Sequence, residues 1–178
     1  MVVLFLANGF EEIEALCPLD LLRRAGIETV TVALGSTAVQ GAHGITVQAD
    51  TNVLPEGKLD MVILPGGMPG AANLDASDMV SEALQRTNAD GGYLAAICAA
   101  PMVLGHRGYL AGKTAVCFPG FEQELTNATI ASDASVVRDG RVITAKGMGV
   151  ALEFGLALVA ALRDDATAAQ LRAAVMAP

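Results

Sequence analysis

The apolar residues of this chain gather into short runs separated by amphipathic stretches, and the two kinds of segment alternate. Runs rich in β-branched residues at 2–7, 29–34, 61–64, 93–97, 114–118 and 142–145, bounded by Gly or Pro, predict strands. Helical periodicity is clearest at 11–25, 78–88, 99–104 and 148–162, with Gly26 and Gly105 as stop signals. Alternation of this kind predicts an α/β fold, a mostly parallel sheet with helices on both faces. Two segments break the pattern. At 38–49 the central Gly41 and Gly44 predict a hairpin, and at 135–142 Asp139-Gly140 predicts a turn; both are expected as small antiparallel additions to the main sheet. A last helix at 167–176, capped by Thr167 and carrying Leu171 and Val175 four apart, is expected to dock on the rest.

Length and composition narrow the function. A chain of 178 residues that is 53% hydrophobic can bury one sizeable core, so one domain over 1–178 is expected. The net charge of −8 and the lack of a Lys/Arg run argue against nucleic acid as a partner. The apolar start is too short to span a bilayer and meets Glu11 and Glu12 without a basic leader, which predicts a buried strand, with no membrane partner and no signal peptide. Three cysteines, none in a CxxC pair, fit reduced thiols in a cytoplasm.

Ligands of open α/β sheets bind at the carboxyl ends of the strands, where loops and helix N-termini converge. Three such ends stand out here: Asn8 to Glu14, Pro65 to Gly70, and Ala96 to Pro101. Cys98 follows a strand directly, and Pro101 suits the first turn of a helix. A thiol at a helix N-terminus is expected to have a lowered pKa and raised nucleophilicity, on a sharp turn like the elbow of the serine hydrolases. The alternative is a buried cysteine acting as a small hydrophobe. Gly66-Gly67 lets backbone N–H groups converge on a small anion or oxyanion, or else marks only a tight loop. It lacks the spacing of a dinucleotide site, and there is no P-loop, so no cofactor is expected. On the first helix Ile13, Leu16, Cys17 and Ala25 are expected to face inward. Glu14 adjoins that stripe, which leaves both an inward and a simply solvated placement open, whereas Glu11 and Glu12 read as ordinary first-turn acids.

Taken together, Glu11-Glu12-Ile13-Glu14, Leu64-Pro65-Gly66-Gly67 and Ala95 to Pro101 resemble the ThiJ/PfpI superfamily, in particular its branch of parkinsonism-associated deglycase and YajL-like proteins. The resemblance continues through Arg23 to Ile27, Val39-Gln40-Gly41, Asp60, Gly147-Met148-Gly149 and Glu153-Phe154. It implies a flavodoxin-like, doubly wound fold, a homodimer, Cys98 as nucleophile and a protonated Glu14 as its partner. The backbones of Gly66, Gly67 and Ala99 would surround the site, with no metal and no cofactor. An ionised Glu14 would oppose thiolate formation, whereas a protonated one would donate to it; the resemblance selects the second. The chain also departs from its relatives. Ala99 stands where the protease-like branch has His, and neither His43 nor His106 is placed for a Cys-His hydrolase triad. Phe118 replaces a histidine and makes a more apolar pocket wall, and His43 replaces an arginine of the eukaryotic branch near the dimer interface.

Two functions follow from a reactive thiol beside a carboxyl group. One is an enzyme of the glyoxalase or deglycase kind, in which Cys98 attacks a small reactive carbonyl or glycated substrate and Glu14 moves the proton. The other is a non-enzymatic redox sensor or chaperone-like stress protein that responds through oxidation of Cys98. Cys17 and Cys117 are read as core residues.

Overall fold

Every residue from Met1 to Pro178 is described by the computed structural model. Five buried parallel strands form its centre: β1 (Val2–Leu6), β2 (Thr29–Ala33), β5 (Met61–Leu64), β6 (Tyr93–Ile97) and β10 (Val142–Ala145). They are ordered β2-β1-β5-β6-β10, and β9 (Val136–Asp139) closes one edge antiparallel to β10. Counting only the parallel strands, that order is 2-1-3-4-5, the flavodoxin-like arrangement. Its switch point lies between β1 and β5, where successive connections pass to opposite faces.

Successive strand residues point to opposite faces, and both faces are apolar, as a parallel sheet covered on both sides requires. Val3, Phe5, Val62, Leu64, Leu94 and Ala96 pack on one side against α2 (Gly70–Asp75), α3 (Asp78–Ala89) and α4 (Pro101–His106). Leu4, Leu6, Met61, Ile63, Ala95 and Ile97 pack on the other against α1 (Glu12–Arg24) and α5 (Ala151–Leu162). Truncating a fully buried side chain such as Leu4 to Ala would cost about 2–5 kcal/mol, lost transfer energy plus the cavity left behind. No helix is long and apolar enough to cross a membrane.

The departures from expectation have identifiable causes. The run at 114–118 shrinks to β7 (Thr114–Ala115), paired only with β8 (Thr129–Ile130) outside the main sheet. Its backbone is diverted: Val116 N–H donates to Thr144 Oγ1 at 3.0 Å and Phe118 N–H to Cys98 O at 2.8 Å. The hairpin at 38–49 forms as β3 (Ala38–Gln40) and β4 (Thr46–Gln48), but as a separate two-stranded sheet. Gly9 N–H to Gln40 O and Ala42 N–H to Phe10 O tie it to the β1–α1 loop instead of the sheet edge. The expected helix at 148–162 opens with a tight 3₁₀ turn, Met148–Val150, before α5. The last helix, α6 (Asp165–Ala174), is capped by Asp164, which accepts from Thr167 N–H at 2.7 Å; Thr167 supplies the donor, not the cap. Six-residue α2 was invisible to periodicity because it is too short to show one.

Candidate active site

At the carboxyl end of β6 the chain turns so sharply that Cys98 takes φ 65°, a left-handed conformation in which a non-glycine residue is strained. The surroundings hold it there. Cys98 N–H donates to Ala145 O at 2.9 Å, and Cys98 O accepts from Phe118 N–H. Three residues later Pro101 begins α4, where its missing N–H costs nothing.

Gly66, at the end of β5, makes room for this turn. A Cβ on Gly66 would lie 2.6 Å from Cys98 Cβ and 2.6 Å from Glu14 Oε2, so the residue must be glycine for the thiol and the carboxyl group to approach. Its N–H donates to Glu14 Oε2 at 2.9 Å and is thereby committed to the carboxyl group. Gly67 follows with φ 85°. The N–H groups of Gly67 and Ala99 are the ones placed beside the sulfur.

Glu14 projects inward from the first turn of α1 and is 1% exposed. Its Oε1 is buried without a hydrogen-bond partner. Burial pushes its pKa up to about 7, with Glu11's charge adding to the rise, while the neighbouring Cys98 and the Gly66 N–H pull it down. Burial also pushes the Cys98 thiol up to about 12, and the charge of Glu14 pushes in the same direction, against the Gly67 and Ala99 N–H groups. The expected lowering of the thiol pKa is therefore not found. The helix that follows Cys98 is only six residues long, and its weak dipole is outweighed by burial and by a carboxylate at close range.

The other expected residues divide between two places. Ala99 is buried in the elbow, and Phe118 is hydrogen-bonded to it through its backbone, with its ring half exposed. His43 sits on the hairpin turn against the start of α1. Its Nδ1 lies 2.8 Å from Glu12 Oε2 and 3.3 Å from Glu11 Oε2, and its N–H donates to Glu12 Oε1 at 2.8 Å. Glu12 lies in the first turn of α1 as expected but is only 3% exposed, held under His43 and not merely facing the dipole; Ile13, expected inward, is exposed instead. Glu11, Glu12 and His43 bring one ligand atom each within 4.8 Å of one another, a set that could hold a metal ion, although hydrogen bonding already accounts for it. Cys17 is partly buried and Cys117 buried, and all three cysteines are free thiols.

Two clefts mark the surface. The larger, about 650 Å³, surrounds Met1, Asp60, Tyr93 and Arg163 at the amino ends of the strands, away from Cys98. The smaller, about 350 Å³, is formed by Phe118 and Pro119 with Lys146 to Val150, on the Cys98 side of the sheet. Sequence reasoning missed Glu12 and the wall at Met148. The Gly147-Met148-Gly149 triplet after β10 was the only signal for the second.

The arrangement of elbow, inward carboxyl group and glycine turn can be set beside known proteins. Residues 1–161 match the model of the DJ-1/PfpI family. The chain belongs to that family. It is similar to the Parkinson disease protein 7 homolog of Danio rerio, 37% identical over 177 residues that cover 96% of this chain and 94% of the relative. Similarity to the glutathione-independent glyoxalase DJR-1.2 of Caenorhabditis elegans is 32% over 164 residues, covering 90% and 87% of the two chains. Among solved structures, Drosophila melanogaster DJ-1beta superposes with a TM-score of 0.95 at 33% identity, covering 99% of this chain and 97% of that one. The family therefore includes a protein named as a glyoxalase, and the flavodoxin-like sheet is the family's fold.

Proposed function

We propose that this family member is a cofactor-independent enzyme acting on small reactive carbonyls, with Cys98 as nucleophile and Glu14 as the group that moves its proton. The observation that carries the proposal is the pairing of a strained thiol with a buried carboxyl group whose Oε1 has no partner and whose pKa lies near 7. A general base works best with a pKa near the working pH. The glyoxalase name of a relative supplies the reaction class.

For a 2-oxoaldehyde such as methylglyoxal, Glu14 takes the thiol proton as Sγ bonds to the aldehyde carbon, and the N–H groups of Gly67 and Ala99 receive the developing oxyanion. Glu14 then gives that proton to the oxygen, forming a hemithioacetal. The Glu14 carboxylate then takes the C1 proton while the C1 hydroxyl proton passes to the C2 oxygen, giving an enediol-type intermediate, and return of the carboxyl proton to C2 yields a thioester of the 2-hydroxy acid. Water cleaves the thioester, releasing lactate and regenerating the thiol. The sum is one aldehyde and one water converted to one hydroxy acid, with no net oxidation and no cofactor.

The test is lactate formation from methylglyoxal by wild type, Cys98→Ser and Glu14→Gln. Turnover lost in Cys98→Ser supports the enzyme. Equal turnover in wild type and Cys98→Ser would reject it, and absence of turnover with peroxide-dependent mass gain at Cys98 would favour a redox sensor instead. We further propose a two-fold homodimer, working in a reducing cytoplasm. Ile13 on α1 and Ile45 in the adjoining hairpin are exposed large apolar side chains on neighbouring elements, and sedimentation should give twice the 18.2 kDa chain mass.

A further inference from the structure

The cleft beside Cys98 is apolar in a way the chemistry at the sulfur does not require. Phe118 and Met148, two of its walls, are 48% and 52% exposed, whereas most large apolar side chains of the chain are fully buried. Phe118 is not a loosely placed side chain, because its N–H is bonded to Cys98 O and its ring is therefore carried by the elbow itself. Gly147 forms the floor. A Cβ there would lie 3.2 Å from Phe118 Cδ2 and 4.0 Å from Glu14 Oε1, so Gly147 is the residue that separates the apolar cleft from the Glu14 carboxyl group, and it does so without a side chain. Lys146, the one charged residue of the lining, has its Nζ committed to Ser132 O at 2.6 Å. At about 350 Å³ the space is at the small end of the range of small-molecule sites, roughly 300–1,000 Å³.

We infer that this cleft is a subsite for an aromatic substituent on the carbonyl substrate, so that aryl 2-oxoaldehydes are preferred to methylglyoxal. The inference rests on Cys98 being the nucleophile. A methyl group attached to the reacting ketone would leave the Phe118 and Met148 faces in water, whereas a phenyl ring would cover them while the aldehyde carbon stays at Sγ. Each buried methylene equivalent discriminates by roughly 10-fold or more, so even partial burial of a ring is readable in kcat/KM.

The experiment compares phenylglyoxal with methylglyoxal for wild type, Phe118→Ala and Met148→Ala, and measures binding of the corresponding products, mandelate and lactate, by calorimetry. Wild type should favour phenylglyoxal by about 10-fold or more in kcat/KM, and both variants should lose most of that preference. A ratio near one in wild type, or a ratio unchanged in both variants, overturns the inference. Should neither aldehyde be turned over, the enzymatic reading fails on its own. The subsite is then judged by product binding: mandelate held about 10-fold more tightly than lactate, with the difference lost in the variants, sustains it, and equal binding rejects it. Sedimentation of the same variants decides the other occupant. Loss of a dimer in Phe118→Ala with selectivity unchanged would make the cleft an interface between two copies and would overturn the inference.

Discussion

Glu12 and Glu14 are two residues apart on the first turn of one helix and are 3% and 1% exposed, yet their environments are opposite. Burial would raise Glu12, but the His43 imidazole and the N–H groups around it outweigh burial and hold the carboxyl below its ordinary 4.5. At Glu14 burial wins. One oxygen accepts from the Gly66 N–H and the other has no fully formed hydrogen bond, so the nearby Cys98 thiol and Met148 backbone offset burial only in part and the pKa rises to about 7. A completed set of hydrogen bonds makes the first residue a structural tie between α1 and the hairpin. An incomplete set leaves the second poised to exchange a proton, at a cost in stability that a purely structural residue would not carry.

Substituting each glutamate by glutamine gives the largest expected contrast. Glu14→Gln should lower kcat on a reactive carbonyl by about 10²–10⁴-fold, the usual effect of removing a general base, whereas Glu12→Gln should lower it by less than about 10-fold. The glycines that face the two carboxyl groups come next. An added Cβ on Gly66 strikes Cys98 and Glu14, and one on Gly41 would lie 2.3 Å from Glu12 Oε1. Both Ala variants should lose about 1–3 kcal/mol of stability through overpacking. Only Gly66→Ala should lose turnover per folded molecule, and equal losses in both would break the contrast.

Stability against pH should separate the residues with opposite signs. Because the folded pKa of Glu14 is raised, its contribution is fully present below 4.5 and is lost as pH rises through about 7. Glu14→Gln should therefore match wild type in Tm near pH 4.5 and exceed it above 7. For the Glu12–His43 pair, the lowered carboxyl contributes above 4.5 and the raised imidazole contributes below 6.5, with the second lost as pH rises through the folded value. His43→Ala should show the smallest effect, a drop in Tm greatest between 4.5 and 6.5 that narrows on the alkaline side. Thermal scans across that range check both, and curves of the same sign would contradict the assignment.

How much of this was readable beforehand depends on what each feature rests on. The parallel sheet was legible because each strand is a compact apolar run closed by Gly or Pro, and the elbow because Cys98 directly follows one such run with Pro101 behind it. Glu14's place beside the expected stripe of α1 left an inward and a solvated reading open, and the family resemblance selected the inward one; the stripe itself was partly misjudged, since Ile13 is exposed. What failed was set by contacts distant in sequence. Glu12 is covered by His43, thirty-one residues away, and no periodicity within α1 could reveal that partner. Val116 and Phe118 give their N–H groups to Thr144 and Cys98, so a run that reads as a strand leaves the ladder. The thiol pKa was misjudged because local position supplied the helix dipole, while burial and the carboxylate arrive only with the tertiary fold.

The central claim is that Glu14, not Cys98, gives up the first proton of the pair, so that the thiolate forms only as Glu14 accepts the sulfur's proton during attack. A pH–rate profile cannot decide this, because ionised Glu14 with a thiol and neutral Glu14 with a thiolate hold the same number of protons. Ultraviolet absorbance of the thiolate can, titrated in wild type and Glu14→Gln with Cys17 and Cys117 replaced by serine in both. The account predicts no thiolate signal at the step near 7, appearance of the signal only well above the ordinary 9.0, and a lower thiol pKa in Glu14→Gln, where the opposing charge is gone. Thiolate absorbance appearing at the step near 7 in wild type, with no fall in thiol pKa on substitution, would contradict it.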